Sequence, residues 1–576
     1  MPSPRAIPSL FARAPSEFWW QTAFASATGL LLVLSFEPFA YSFLAWFALA
    51  PMLYVVTGGV RWKRALWLGW IAGVTFFFFS TNWISHSMIQ FGGMPKVPAY
   101  GASLVFSAIA ALFPALFAVT VAKLVRAFGA RMLMLAPLVW AATEWLRGAV
   151  TGATWNALGI TQVSNYIFVA WIAKYGGSYL ISTAVMTGSV LLVLWARQIS
   201  SLRKAVFQLL PLCLVASLVI FTTVGMSLRN IFVKLSGYSQ PDTVPLSSRG
   251  FMKPVTINTA VIQPYIPVNL YESPTEAPQY FDNTLKLTRD AVSQAKDKPA
   301  DLIVWAESPL PLNYEQDQSV RSRLDSLAQE MNSYLIFSAI AHDGDQYFNS
   351  AQTIAPPSGD QPAAQLRRYD KIRLVPFGEY VPFRFALGYF VPPMVGDFTP
   401  GREAVVNTLR LRTRFAEVQN GAETAGQPAL ERTTNFVRTG TFICYEAAYP
   451  NLVRQFVRNG ATLLVNISND AWFGNTAGAR QHLAHARMRA IENDRDLIRV
   501  TNSGISALIT ADGCVVDELP MFTPAARVWK ARLQSGQTFY TRHGDWFAIT
   551  CTVISAIALA ASIIHSYGKS RAQTRA

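Results

Sequence analysis

A thiol, a carboxylate and an amine each stand at or near the end of an apolar run in the second half of this chain. Cys444 closes Gly440-Thr441-Phe442-Ile443-Cys444-Tyr445-Glu446. Glu307 lies in Val304-Trp305-Ala306-Glu307-Ser308-Pro309. Lys371 follows Tyr369-Asp370 and leads into Leu374-Val375-Pro376-Phe377-Gly378-Glu379. Such a set suits covalent acyl transfer. The thiol attacks a carbonyl, the carboxylate takes its proton, and the ammonium holds the oxyanion together with a backbone N–H near Tyr445. Each residue also has a plainer reading. Glu307 can cap a loop, Lys371 can be a solvated charge, and Cys444 can be a small core hydrophobe or a disulfide partner of Cys514. The order Glu, Lys, Cys across three such strings favours the chemistry. A cation beside the thiol is expected to lower its pKa and raise the thiolate fraction. The prolines and glycine around Glu379 imply a rigid loop. His482 and His485 share a predicted helix face, but no acidic residue completes a zinc spacing, so they read as packing or loop contacts.

The elements that must position these groups follow from periodicity. Short apolar runs predict strands at 257–263, 301–306, 335–341, 439–444, 461–467, 497–502 and 506–511. Helical patterns fall at 278–296, 317–331, 447–459 and 479–494. Such alternation predicts a layered α/β domain. Asp512-Gly513 predicts a hairpin turn. The polar, aperiodic stretch 411–436 reads as an inserted loop.

The rest of the chain is a different material. Half of its 576 residues are hydrophobic and only 14% are charged, against about 25% in a soluble protein. Apolar stretches near 17–36, 42–59, 65–83, 99–122, 132–150, 168–195, 206–226 and 546–566 approach the length of a membrane span. The basic groups Arg5 and Arg13; Arg61, Lys63 and Arg64; Lys123, Arg126 and Arg131; Arg197, Arg203 and Lys204; and Lys569, Arg571 and Arg575 fall on one side of an eight-span arrangement. The positive-inside rule makes that side cytoplasmic, places 227–545 outside the cytoplasm and leaves both termini inside. The expected organisation is a membrane domain of seven helices over 1–227, a catalytic domain over 228–543 with its core at about 256–530, and a last helix and tail over 544–576. The net charge of +15 reads as loop punctuation facing anionic lipid. Without a zinc spacing, a Gly-rich phosphate loop or an RNA-binding signature, no nucleic acid partner is expected. Glu144 and Arg147, three apart near the outer end of a span, read as an ion pair or as groups facing a cavity.

Residues 256–530 resemble the carbon–nitrogen hydrolase (nitrilase) superfamily, with Glu307, Lys371 and Cys444 at its three motif positions. With the spans added, the chain as a whole resembles the apolipoprotein N-acyltransferase family. Further similar strings are Phe91-Gly92-Gly93, Glu144-Trp145-Leu146-Arg147-Gly148, Tyr347-Phe348-Asn349-Ser350, Asn469–Gly474, Gln481-His482-Leu483 and Gly544-Asp545-Trp546. The resemblance implies a multi-pass membrane domain of eight helices joined to an αββα sandwich in a bacterial inner membrane, with the catalytic domain periplasmic. It implies a ping-pong reaction. Cys444 would take an acyl chain from a phospholipid, typically phosphatidylethanolamine, and pass it to the N-terminal cysteine amine of a diacylglyceryl lipoprotein. Glu307 would be the base and Lys371 the oxyanion partner, supported by Glu379, Tyr445 and Glu446. No metal or organic cofactor is implied, and a monomer is expected. The sequence departs from the family at Ala306, often Pro, and at Arg373, often His. The alternatives are a membrane-tethered amidase acting on a soluble C–N bond and a non-catalytic lipid-binding protein.

Overall fold

The computed structural model describes residues 15–198, 255–411 and 436–575, less short stretches at 153, 164–166, 269–273, 296–298, 308–309, 311, 358–362 and 382–396. The expected span at 206–226 and nearly all of the expected inserted loop lie outside the described residues.

Leu-, Ala- and Phe-rich segments fold into a helical bundle. Among the described residues, Glu17–Ser35, Lys96–Phe128, Ala173–Arg197 and Trp546–Lys569 are long and apolar enough to cross a membrane. The pair Trp62–Ser80 and Trp83–Gln90, bent by 49°, makes a fifth if it counts as one span. The eight expected spans are therefore not all seen. The stretch at 42–59 breaks into a 3-10 turn, Ser42–Trp46, and a seven-residue helix, Ala50–Val56, both largely buried. At 1.5 Å per residue that helix is only about 10 Å long, against about 30 Å of hydrocarbon. It is an interior piece of the bundle. Helices pack closely where side chains are small: a Cβ on Gly69 would stand 2.5 Å from the Pro114 carbonyl.

The second half forms two sheets. Its strands are β1 (Thr256–Gln263), β2 (Leu302–Trp305), β3 (Tyr334–Asp343), β4 (Gln346–Ala355), β5 (Ala364–Gln365), β6 (Tyr369–Asp370), β7 (Val406–Arg410), β8 (Phe436–Ile443), β9 (Leu463–Ser468), β10 (Leu497–Thr501), β11 (Ala507–Ile509), β12 (Val515–Glu518) and β13 (Ala525–Arg532). One sheet runs β13-β1-β2-β3-β4-β5 with β6 on β4; the other runs β12-β11-β10-β9-β8-β7. In each, three central strands are parallel and the outer ones antiparallel. Val261, Val304 and Ile336 of the first sheet share one buried cluster with Phe442, Val465 and Val500 of the second, so the sheets pack face to face. Helices Ala277–Gln294 and Gln318–Met331 cover the outside of the first sheet through Phe281, Leu285, Leu324 and Leu327. Helices Pro450–Arg458 and Ala477–Asn493 cover the second. This is the αββα sandwich that was expected.

Ala477–Asn493 is buried along nearly its whole length, with Arg480 its one exposed residue. Ala486 and Ala490 pack on the second sheet, while Ala484, Met488 and Ile491 join the bundle core. Most of its polar residues are buried too, and such groups call for partners inside. Arg489 meets Glu492 at 3.0 Å, and the Ser178 N–H donates to Glu492 at 3.1 Å. The helix is thus the seam between sandwich and bundle.

Candidate active site

β8 ends at Ile443, and Cys444 begins a one-turn 3-10 helix, Cys444–Ala448. Cys444 has φ of +51°. A side chain at positive φ is uncommon and strained, and such positions cluster at functional sites. A chain of buried groups holds the turn. His482 Nε2–H donates to the Cys444 carbonyl at 2.9 Å. Nδ1 of the same ring has Arg499 Nη2 and Asp470 Oδ1 each 3.0 Å away, and Arg499 donates to Asp470 at 2.7 Å. Burial and the Arg499 charge hold His482 below the usual imidazole range despite Asp470. The neutral ring then offers Nδ1 as an acceptor. Reading His482 as a loop contact missed how specific its role is; one line of sequence gave no sign that its partner is the backbone of Cys444.

Glu446 ties this turn to the lysine segment. Its buried carboxylate accepts from Ile443 N at 2.7 Å, Ile372 N at 2.8 Å, Arg373 N at 3.0 Å and Tyr369 OH at 2.7 Å. Lys371 is 1% exposed and donates to Glu379 at 2.8 Å, with Glu307 at 3.5 Å. Burial opposes its charge, but the Glu307 and Glu379 carboxylates outweigh that and hold it well above the usual lysine range. Asn349 Nδ2 donates to Glu307 at 2.9 Å and to Glu379 at 2.7 Å. Asn469 N–H donates to the second Glu307 oxygen at 2.9 Å. Glu379 is fixed by the Val375 N–H at 2.8 Å, within a turn where Phe377 also has positive φ. Glu307, Lys371 and Cys444, far apart in sequence, therefore meet at the ends of β2, β6 and β8. Asn349 and Asn469 lay in strings singled out in the sequence, with no role assigned.

One expectation holds in sign but is outweighed: Lys371 lowers the Cys444 pKa, yet not by enough to favour the thiolate. Burial first, then the Glu307 charge, push the Cys444 thiol up to about 12, and Lys371 only partly offsets them. The resting group is a thiol, not a ready thiolate. Cys444 carries no disulfide, so its pairing with Cys514 falls.

The bundle reaches the site through aromatics. Trp155 stacks on Tyr445 with ring centroids 5.7 Å apart, and Trp155 and Trp83 both donate to Gln481 Oε1, at 2.8 and 3.2 Å. Glu144 and Arg147 build the loop that carries Trp155. Glu144 accepts from Leu158 N at 2.7 Å and Arg147 donates to the Trp155 carbonyl at 2.8 Å. Their work is on the backbone, which neither the ion-pair nor the cavity reading anticipated. Phe91 meets Trp472 edge-on at 5.1 Å, and Ser87 donates to the Trp472 carbonyl at 2.7 Å.

Comparison with known proteins gives a consistent result. Residues 28–191 match the model of the apolipoprotein N-acyltransferase N-terminal domain, and residues 259–538 match that of carbon–nitrogen hydrolase. The chain is 31% identical over 556 residues to an apolipoprotein N-acyltransferase of Geobacter metallireducens, covering 94% of this chain and 96% of that one. It is 31% identical over 532 residues to one of Vibrio vulnificus, covering 91% and 93%. A solved amidase from Neterenkonia sp. AN1 overlaps 50% of this chain and 96% of its own at 18% identity and a TM-score of 0.31.

Proposed function

Because the chain belongs to the apolipoprotein N-acyltransferase family, we propose that it moves an acyl chain from a phospholipid to the N-terminal cysteine amine of a diacylglyceryl lipoprotein through a thioester on Cys444. The observation that carries this reading is the meeting of Glu307, Lys371 and Cys444 directly against the aromatic face that the membrane bundle presents at Trp155.

With the thiol protonated at rest, attack needs a base. Glu307 is beside Lys371, is held by Asn349 and Asn469 N–H, and acts on the thiol's charge, so it takes the proton as sulfur adds to the donor's ester carbonyl. The oxyanion that forms faces the Lys371 ammonium and the Tyr445 N–H at the start of the turn. Collapse breaks the ester C–O bond. Glu307 returns the proton to the departing alcohol, and a lysophospholipid leaves. In the second half the lipoprotein amine attacks the thioester and Glu307 takes its proton. Collapse gives the amide and expels the thiolate, which is reprotonated. Glu379 and Glu446 are positioning residues: one seats Lys371, the other joins the lysine segment to the nucleophile turn. Cys444 is 8% exposed, which disfavours hydrolysis of the thioester by water.

The donor we infer is phosphatidylethanolamine, and the site faces the periplasm with both termini cytoplasmic, as the basic loops indicate. The test is incubation of the purified protein with acyl-labelled phosphatidylethanolamine and no acceptor, beside C444A. Hydroxylamine-sensitive label on the protein, missing from C444A, is expected. No label on intact protein would sink the phospholipid-donor reading and favour a tethered amidase.

A further inference from the structure

We propose that Arg373 binds the phosphodiester of the donor lipid and thereby aligns its ester with Cys444. This rests on the phospholipid-donor reading above.

The position of Arg373 is fixed although its side chain is exposed. Its backbone N–H, with that of Ile372, donates to the buried Glu446 carboxylate, so residue 373 cannot drift relative to the nucleophile turn. The guanidinium lies over the ring of Tyr449, 5.3 Å from its centroid. Tyr449 in turn meets Tyr445 edge-on at 5.4 Å, and Tyr445 follows Cys444. Arg373 is thus two aromatic rings away from the thiol. Among the described residues its side chain forms no ion pair, whereas the nearby Arg367 and Arg368 pair with Glu403 and Glu315. A cation oriented on a ring face and left without a carboxylate is a group prepared for an anion.

The height of the group identifies that anion. A Cβ on Gly152, just past the outer end of helix Ala136–Thr151, would stand 3.7 Å from the Tyr449 hydroxyl. Thr154 Oγ1 donates to the Ala448 carbonyl at 2.7 Å. With that helix end placed at the membrane surface, as the proposed topology has it, Arg373 stands at headgroup level, and the anion on every phospholipid is its phosphate. A glycerol backbone separates that phosphate from the acyl ester, so a fixed phosphate would limit where the ester can lie. Guanidinium and phosphate pair through two parallel N–H···O bonds.

The experiment compares thioester formation on Cys444 from phosphatidylethanolamine, phosphatidylglycerol and diacylglycerol, which keeps the esters but has no phosphate. For R373Q we expect kcat/KM to fall about tenfold to a hundredfold with both phospholipids, the range for one charge-assisted contact. Diacylglycerol transfer should stay unchanged, and R373K should recover part of the loss. An equal fall with all three donors would mean a structural role and overturn the proposal, as would no fall with any. If the wild-type protein takes acyl from diacylglycerol but from neither phospholipid, the donor reading itself fails and this inference with it.

Discussion

At the residue scale, the proposed nucleophile is a buried thiol and the proposed base is a carboxylate held by hydrogen bonds. Glu307 raises the Cys444 pKa and Lys371 lowers it, so the two neighbours act on the thiol with opposite sign. E307Q should label faster than wild type with a maleimide at one mildly alkaline pH, and K371M more slowly. E307Q should nonetheless form thioester about a hundredfold to ten-thousandfold more slowly, as expected for loss of a general base. Parallel changes in labelling and acylation would contradict Glu307 as the base. His482 supports a strained carbonyl, not a reacting atom. H482A should lower stability by about 1–3 kcal/mol, the cost of orphaning buried partners, and disturb acylation through the Cys444 backbone; an unchanged melting temperature would refute this.

At the element scale, helix Ala477–Asn493 and the turn Asp470–Phe473 before it join the two halves. Gly474, with φ of +55°, follows that turn, and a Cβ there would fall 2.2 Å from His86 Nε2 of the bundle. G474A should destabilise by about 1–3 kcal/mol from the backbone alone and loosen the Phe91–Trp472 contact, read as lost protection from proteolysis at 470–476. The helix also carries titrating groups. Burial first, then neighbouring arginines, hold His482 and His485 below the ordinary imidazole range. Unfolding lets both rings take up protons, so stability falls as pH drops below about 6.5. Glu492 opposes them. Burial lifts it to about 7, so its contribution is present at low pH and lost as pH rises through 7. Removing it by E492Q should therefore steepen the fall in melting temperature between about pH 7 and pH 5; a flatter profile would show the signs are wrong.

At the scale of the whole molecule, sandwich and bundle share one core. Ala484, Met488 and Ile491 would face water without the bundle, and Tyr445 would lose Trp155. Residues 228–543 expressed alone should aggregate or fail to form thioester even with detergent-dispersed donor; a monodisperse, active fragment would show that the bundle only tethers the enzyme.

Much of this was legible in one sequence. The strands β1, β2, β3, β8, β9, β10 and β11 follow from short apolar runs, and the three candidate groups that meet at the site from the strings around them, because burial and strand ends leave local marks. The turn at Asp512-Gly513 appears where its dipeptide demands positive φ. β4 and β13 were missed because polar residues interrupt the apolar pattern of both; β4 pairs with β3 across a short turn, whereas β13 pairs with β1, far away in sequence. Among the described residues four or five helices are long and apolar enough to span, and an apolar run such as 42–59 looks the same whether lipid or other helices cover it. What only the tertiary structure decided is how groups far apart along the chain act on one another. The thiol's pKa, the seat of His482 under the Cys444 carbonyl and the use of Glu144 and Arg147 on the Trp155 loop all depend on distances that close only when two sheets and a bundle pack together.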